Sequence, residues 1–151
     1  MAYEFSHHRR VEFADTDLAG IVHWTNFFRY AEEAEHAFFR SLGLSIQMDV
    51  DGATIGWPRV QTDCRFTQPL RFEDELRVHL LVREVGKRSV SYRFVYYRVE
   101  GEREFEVARG NVVTACVKMH SKDGKIASTA VPEVVRGLIQ PAPHDLPGNE
   151  H

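Results

Sequence analysis

The chain predicts an α+β fold, an antiparallel sheet of about five strands wrapped around one long central helix. Three observations point there. An apolar stripe at helical period runs from Asn26 to Leu42, several strand-like runs of alternating apolar residues follow it, and the links between those runs are short turns. Consecutive strands with short turns pair antiparallel. A sheet with one apolar face then covers a helix too apolar to face water.

Each element has its own signal. Arg9 to Phe13 alternates, with Val11 and Phe13 on one side, and reads as a short strand. An acidic loop with Asp15, Asp17 and Gly20 follows. The helix carries apolar residues at Phe27, Phe28, Tyr30, Ala31, Ala34, Ala37, Phe38, Phe39 and Leu42, and from Asn26 to Leu42 it spans roughly 25 Å at about 1.5 Å per residue. Thr25 or Asn26 suits its cap, and Gly43 the left-handed position past its end. Ser45 to Pro58 reads as a returning loop. Val60, Thr62, Cys64 and Phe66 form an alternating strand that Pro69 ends. Leu76, Val78, Leu80 and Val82 form the next, in which only Leu81 breaks the alternation. After a turn at Gly86-Lys87-Arg88 come Val90, Tyr92, Phe94 and Tyr96. Glu100-Gly101-Glu102 then leads into a last long run, Phe105 to His120, with a bulge expected at Gly110. Asp123-Gly124 marks a tight turn, and Pro132 can open a short helix through Leu138. Residues 1–139 read as a single domain, and 140–151, rich in Pro and ending PGNEH, as a disordered tail.

Composition narrows the function classes. A length of 151 residues suits one domain with its own core. The net charge of -3 argues against nucleic-acid binding. Cys64 and Cys116 lack CxxC spacing and read as reduced thiols. The opening MAYEFSHHRR lacks the apolar run of a signal peptide, and no run of about 18 apolar residues could span a bilayer. A cytoplasmic protein without membrane contact is the expectation. The eight histidines show neither HExxH nor paired-ligand spacing, so no metal is assigned. There is no GxSxG elbow, P-loop or GxGxxG.

The stretch with chemistry is Phe13-Ala14-Asp15-Thr16-Asp17, then Gly20-Ile21-Val22, then Asn26-Phe27 and the helix bearing Glu32 and Glu33. It resembles the hot-dog-fold acyl-CoA thioesterases, in the 4-hydroxybenzoyl-CoA thioesterase branch, which carry D-x-D-x-x-G-[IV]-V between first strand and central helix. The resemblance covers roughly residues 8–138, strand order included, and implies a hot-dog fold and a thioester hydrolase. By the family pattern Asp17 is the catalytic carboxylate, as nucleophile or as general base for water. The backbone N–H near Trp24, at a helix start, polarises the thioester carbonyl. Gly20 lets the chain turn and the substrate approach. Val22, His23, Trp24 and Phe27 complete the pocket, with Phe28 and Trp57 as further aromatic surface. The family commonly has Tyr or His where Trp24 stands and a frequent Tyr at Phe27, which bears on substrate preference rather than reaction type. Lys87 and Arg88 are the expected coenzyme A contacts, with Arg59, Arg65 and Lys118 as weaker ones. No cofactor is implied, coenzyme A being part of the substrate.

Other readings stay open. Asp15 and Asp17 could both be loop or cap residues, and Asp15 reads as structural. His23 could orient substrate or water, or only line the pocket. A second hot-dog branch uses a glutamate on the central helix, so Glu32, Glu33 and Glu35 could serve; their plainer reading is a solvated or interface face. A hydratase or dehydratase of acyl thioesters, or a non-catalytic acyl-CoA binding module, could use the same fold. Since a curved sheet leaves edges open, and relatives pair sheets edge to edge, a homodimer or homotetramer is expected.

Overall fold

The structure, a computed structural model, describes residues 1–120 and 122–150. Its first strand starts earlier than the alternation suggests. β1 spans Glu4–Arg10, and Phe13–Asp15 is a 3-10 turn. The Asp15 carboxylate accepts the Glu12 N–H at 2.9 Å, which bends the chain and leaves Phe13 76% exposed while Val11 stays buried.

Helix α1 runs Asn26–Ser41. Thr25 stands at its N-cap without capping it, because the hydroxyl is engaged with His23 Nδ1 at 2.7 Å. Asn26 donates its side-chain amide to the Asp15 carbonyl at 2.8 Å. Gly43 takes φ +78°. The amides of Gly43 and Leu44 return to the carbonyls of Arg40 and Phe39, both at 3.0 Å, a double C-terminal closure in which the left-handed residue is best a glycine.

The stretch from Ser45 to Pro58 is not all loop. β2 (Met48–Val50) and β3 (Ala53–Gly56) form a hairpin around Asp51-Gly52, both at positive φ, as a tight two-residue turn requires. Then come β4 (Arg59–Phe66), β5 (Glu75–Val85), β6 (Ser89–Glu100) and β7 (Arg103–Ala115). The run expected to continue to His120 breaks at buried Cys116. β8 (Val117–His120) leaves the main sheet to pair with β3, and β9 (Ile126–Ser128) pairs with β8. α2 is short, Glu133–Arg136, and follows Pro132.

Five antiparallel strands form the main sheet in the order β1-β5-β6-β7-β4, and β2-β3-β8-β9 form a smaller one. Consecutive β5, β6 and β7 are neighbours, as short turns dictate. The apolar stripe of α1 (Phe27, Tyr30, Ala31, Ala34, Phe38, Phe39) packs in one core with Leu76, Val78 and Leu80 of β5 and Tyr92, Phe94 and Tyr96 of β6. Alanines at 31 and 34 let helix and sheet approach closely. β4 is different: it is an edge with no strand partner on its outer side among the described residues, and Val60 and Phe66 are 62% and 43% exposed.

Two expectations change. Gly110 is no bulge; it pairs in register with Cys64 and Phe94. The register slips between Tyr96 and Tyr97 instead. Gly110 lets β7 and β4 come together, since a Cβ there would lie 2.3 Å from the Asp63 carbonyl oxygen. The segment from 140 to 150, read as a disordered tail, lies on the outer face of the sheet. Ala142 bonds the Val82 carbonyl at 2.7 Å and clusters with Leu81, Val95 and Leu146. Leu81 breaks the strand alternation because this strap covers the face it points to. His151, the last residue of that tail, lies outside the described residues.

Candidate active site

The loop between β1 and α1 is fixed at both ends. Asp17 N–H bonds the Ile21 carbonyl, Gly20 N–H the Asp17 carbonyl and His23 N–H the Asp15 carbonyl, all at 2.9 Å. Val22 N–H reaches across to Leu70 at 2.8 Å. Gly20 sits at φ +78°, a conformation that suits glycine in so tight a reversal. The Thr16–Val22 bridge closes the loop on itself, and the Ile21–Arg71 bridge holds it against the segment after β4.

This places Asp17 at the mouth of a cleft of about 550 Å³ whose walls include Ile21, Val22, Trp24, Phe27, Phe66, Leu70 and Arg71. One carboxylate oxygen accepts the Ala19 N–H at 2.8 Å; the other points no bond at any described residue. Phe27 is buried, edge-on to Phe66 at 5.0 Å and to Tyr96 at 5.2 Å, so helix, β4 and β6 share one aromatic wall. The first amides of the helix start turn inward, Asn26 to His23 and Phe27 to Trp24. The Trp24 N–H donates to no other described residue, and the helix dipole concentrates positive potential at such an end. Asp17 and Trp24, whose N–H has no partner among the described residues, thus line one apolar cleft.

Asp15 has the opposite setting from Asp17. It is 1% exposed and pairs with Arg9 at 2.9 Å and with Arg29. Arg9 and Arg29 lie over the Tyr30 ring at 4.5 and 5.7 Å, and Arg9 continues to Glu33 at 2.5 Å. Burial pushes the Asp15 carboxyl up, but the Glu12 amide, the neighbouring Tyr30 hydroxyl and the two guanidiniums outweigh it and hold it below its ordinary value. It is therefore a fixed anion.

The remaining sequence-predicted residues divide. Gly20 shapes the loop without lining the cleft, and His23 turns to Thr25 and stacks on Trp24. Phe28 packs edge-on against Trp24. Trp57 is buried against Phe39, away from the cleft. Of the helix glutamates, Glu32 is exposed, Glu33 joins the Arg9 network, and Glu35 is buried at 1% exposure with Arg59 at 2.8 Å. A solvated face describes only Glu32. Lys87 and Arg88 lie beyond the far end of β5, an 11-residue strand, hence roughly 35 Å from the end nearest the cleft. They do not meet Asp17 within one chain. Arg65 borders a separate hollow with Arg93 and Arg109, and Lys118 one beside β8. Sequence reading missed Phe66, Leu70 and Arg71 as cleft walls, although Pro69, three residues past the end of β4, marked the chain's departure there.

Burial pushes the Cys64 thiol up to about 12, with Asp63 adding to it, and the Cys116 thiol up to about 11. Neither is a nucleophile near neutral pH. Among the described residues no group of three or more metal-binding side chains occurs, and no helix is long and apolar enough to cross a membrane.

An antiparallel sheet wrapped around one long central helix is the hot-dog fold, and the class it points to is the hot-dog thioesterases. The thioesterase-like superfamily matches residues 11–139, and the chain belongs to it. It is 30% identical over 95 residues to the 4-hydroxybenzoyl-CoA thioesterase of Pseudomonas sp., covering 62% of this chain and 67% of that one. It is 25% identical over 142 residues to the 1,4-dihydroxy-2-naphthoyl-CoA hydrolase of Thermosynechococcus vestitus, covering 94% and 92%. The crystal structure of a hypothetical protein from Aquifex aeolicus superposes with a TM-score of 0.77 at 31% identity, covering 90% of this chain and 99% of that one.

Proposed function

We propose that this protein hydrolyses an acyl-CoA to the free acid and coenzyme A, with Asp17 as the reacting carboxylate. The supporting observation is that Asp17 and Trp24, whose N–H has no partner among the described residues, line the same apolar cleft. In the reaction a new C–O bond forms at the thioester carbon, the C–S bond breaks, and the sulfur leaves as thiolate and takes a proton. Asp17 either deprotonates the attacking water or attacks the carbon itself, in which case the mixed anhydride so formed is hydrolysed by a water that releases the acid and frees the carboxylate. The Trp24 N–H stabilises the carbonyl oxygen as its negative charge grows.

Aromatic walls from Trp24, Phe27 and Phe66 suit an aromatic acyl group or a short to medium aliphatic chain. The aromatic choice has added support in the acyl groups that name the two relatives. His23 steadies the helix start through Thr25 and Trp24 rather than meeting substrate. Lys87 and Arg88 are assigned to the coenzyme A phosphates, and since they lie far from Asp17 in their own chain, they act on the site of a second copy. The unpaired β4 edge supports a homodimer, on which a homotetramer can build. A cytoplasmic setting and the absence of a cofactor belong to the same reading.

Thiol release from a panel of aromatic and aliphatic acyl-CoAs tests this, wild type beside Asp17→Asn. The expected result is activity on at least one substrate that falls about a hundredfold or more in the variant. Binding without release in the wild type removes the enzymatic reading. Full activity in the variant removes Asp17.

A further inference from the structure

Asp15 holds an unusual position. Its carboxylate joins β1, through Arg9 and the Glu12 amide, to α1, through Arg29. Its carbonyl accepts two more bonds from the helix start, the His23 N–H at 2.9 Å and the Asn26 side-chain amide at 2.8 Å. One residue thus ties together the strand before the loop, the helix after it, and the loop itself. Asp17 is two residues away along the chain, and Trp24 is the neighbour of His23. The groups on either side of the cleft are both one short step from the same anchor.

Chemistry gives that arrangement a use. A loop carboxylate is effective only while held within about an ångström of its reacting atom, and a displacement of that size can lower a rate about a hundredfold. Asp17 has only the Ala19 amide on its own side chain. Its backbone is steadied by the turn and by whatever fixes residue 15. Asp15 is 1% exposed and bound by two guanidiniums, which is more restraint than a loop needs merely to close.

We propose that Asp15 is a positioning residue, which with Arg9 and Arg29 fixes the reach of the Asp17 carboxylate toward the helix start. The inference rests on the reading of Asp17 as the reacting carboxylate. Asp15 touches no substrate, and its carboxylate, the part that Asp15→Asn removes, acts through Asp17. Its loss therefore lowers kcat while leaving KM nearly unchanged, and adds nothing once Asp17 is already disabled.

The test uses Asp15→Asn, Asp17→Asn and the double variant in the thiol-release assay, with amide hydrogen exchange of residues 16–24. Arg29→Gln removes the half-exposed arm of the same anchor and serves if Asp15→Asn does not fold. The expected result is a fall in kcat of about ten- to a hundredfold for Asp15→Asn or Arg29→Gln, with KM within about threefold. Exchange of residues 16–24 rises, and the double variant is within about threefold of Asp17→Asn. Full activity in Asp15→Asn and Arg29→Gln, with Asp17→Asn inactive, overturns this proposal alone. So does a fully multiplicative loss in the double variant, which marks a general structural role, or unchanged exchange in the loop. Full activity in Asp17→Asn removes the reading of the reaction and the positioning role with it.

Discussion

The Tyr96 hydroxyl donates a 2.7 Å hydrogen bond to the Phe27 carbonyl, deep between sheet and helix. It joins the middle of β6 to the first turn of α1 directly behind the aromatic wall of the cleft. Both residues are buried, so no water replaces the bond when it is lost. Tyr96→Phe removes the donor and keeps the ring. The expected cost is about 1 kcal/mol, measured by denaturant unfolding, with a modest loss of activity as the first helical turn loosens.

The two buried carboxylates respond to pH in opposite senses. Asp15 is held below its ordinary value of 3.8. The folded protein therefore gains stability from it that is complete above that value and drains away as pH falls through the lower folded-state value. Acid unfolding followed by circular dichroism should show a steep loss below about pH 4, and Asp15→Asn should flatten it.

Glu35 goes the other way. Burial raises its carboxyl above 4.5 in spite of Arg59 and His36, so its contribution weakens as pH rises from 4.5 through the raised value. Its pair with Arg59 is asymmetric, 1% against 31% side-chain exposure. Removing the arginine strands a buried charge, whereas removing the carboxylate leaves a guanidinium that can reach water. Arg59→Met is expected to cost about 3 kcal/mol or more, and Glu35→Gln within about 1 kcal/mol, compared by thermal unfolding at pH 7.

Gly110→Ala probes the meeting of β7 and β4. The added methyl would lie 2.3 Å from the Asp63 carbonyl and 3.2 Å from the Cys64 Cα, both main-chain atoms that cannot rotate aside. The edge strand has to shift, at an expected cost of about 1–3 kcal/mol. Because β4 carries Phe66, substrate affinity should fall too, which a KM measurement reads.

The strap offers a fifth comparison. Ending the chain after Gln140 uncovers Leu81 and Val95, both fully buried. Exposing two such side chains, less the ordering cost of the strap, predicts a loss of about 2 kcal/mol. An apolar dye should bind the shortened chain more strongly than the full one.

Most of the fold was legible because it rests on local rules. The helix from Asn26, the glycine closure at Gly43, and the alternating rows that became β5 and β6 are periodicities that any burial solution must respect. The loop from Asp15 to Val22 was legible for another reason: acidic, glycine and apolar residues stand there at the spacing of a known motif. Less legible were features that short segments acquire from distant ones. The β2–β3 hairpin, Met48 to Gly56, is only nine residues long, and β8 belongs with it rather than with β7 because of pairing across the chain. The strap was misread because Pro and Gly signal disorder unless a distant surface receives them. Leu81, out of phase in its strand, was the one local trace of that surface.

The sequence by itself determined that a wide-striped helix must be wrapped by a sheet, and that two carboxylates precede its start. Tertiary structure alone decided the surroundings of each. Asp15 and Asp17 are the same residue type two positions apart. One is buried between Arg9 and Arg29, and the other stands at a cleft whose walls come from α1 and from the chain after β4. Burial and charge pairing depend on residues brought from 6 and 14 positions away, and the cleft on residues some fifty positions on. A one-dimensional pattern fixes which atoms are available; only the folded chain sets which of them keep contact with water.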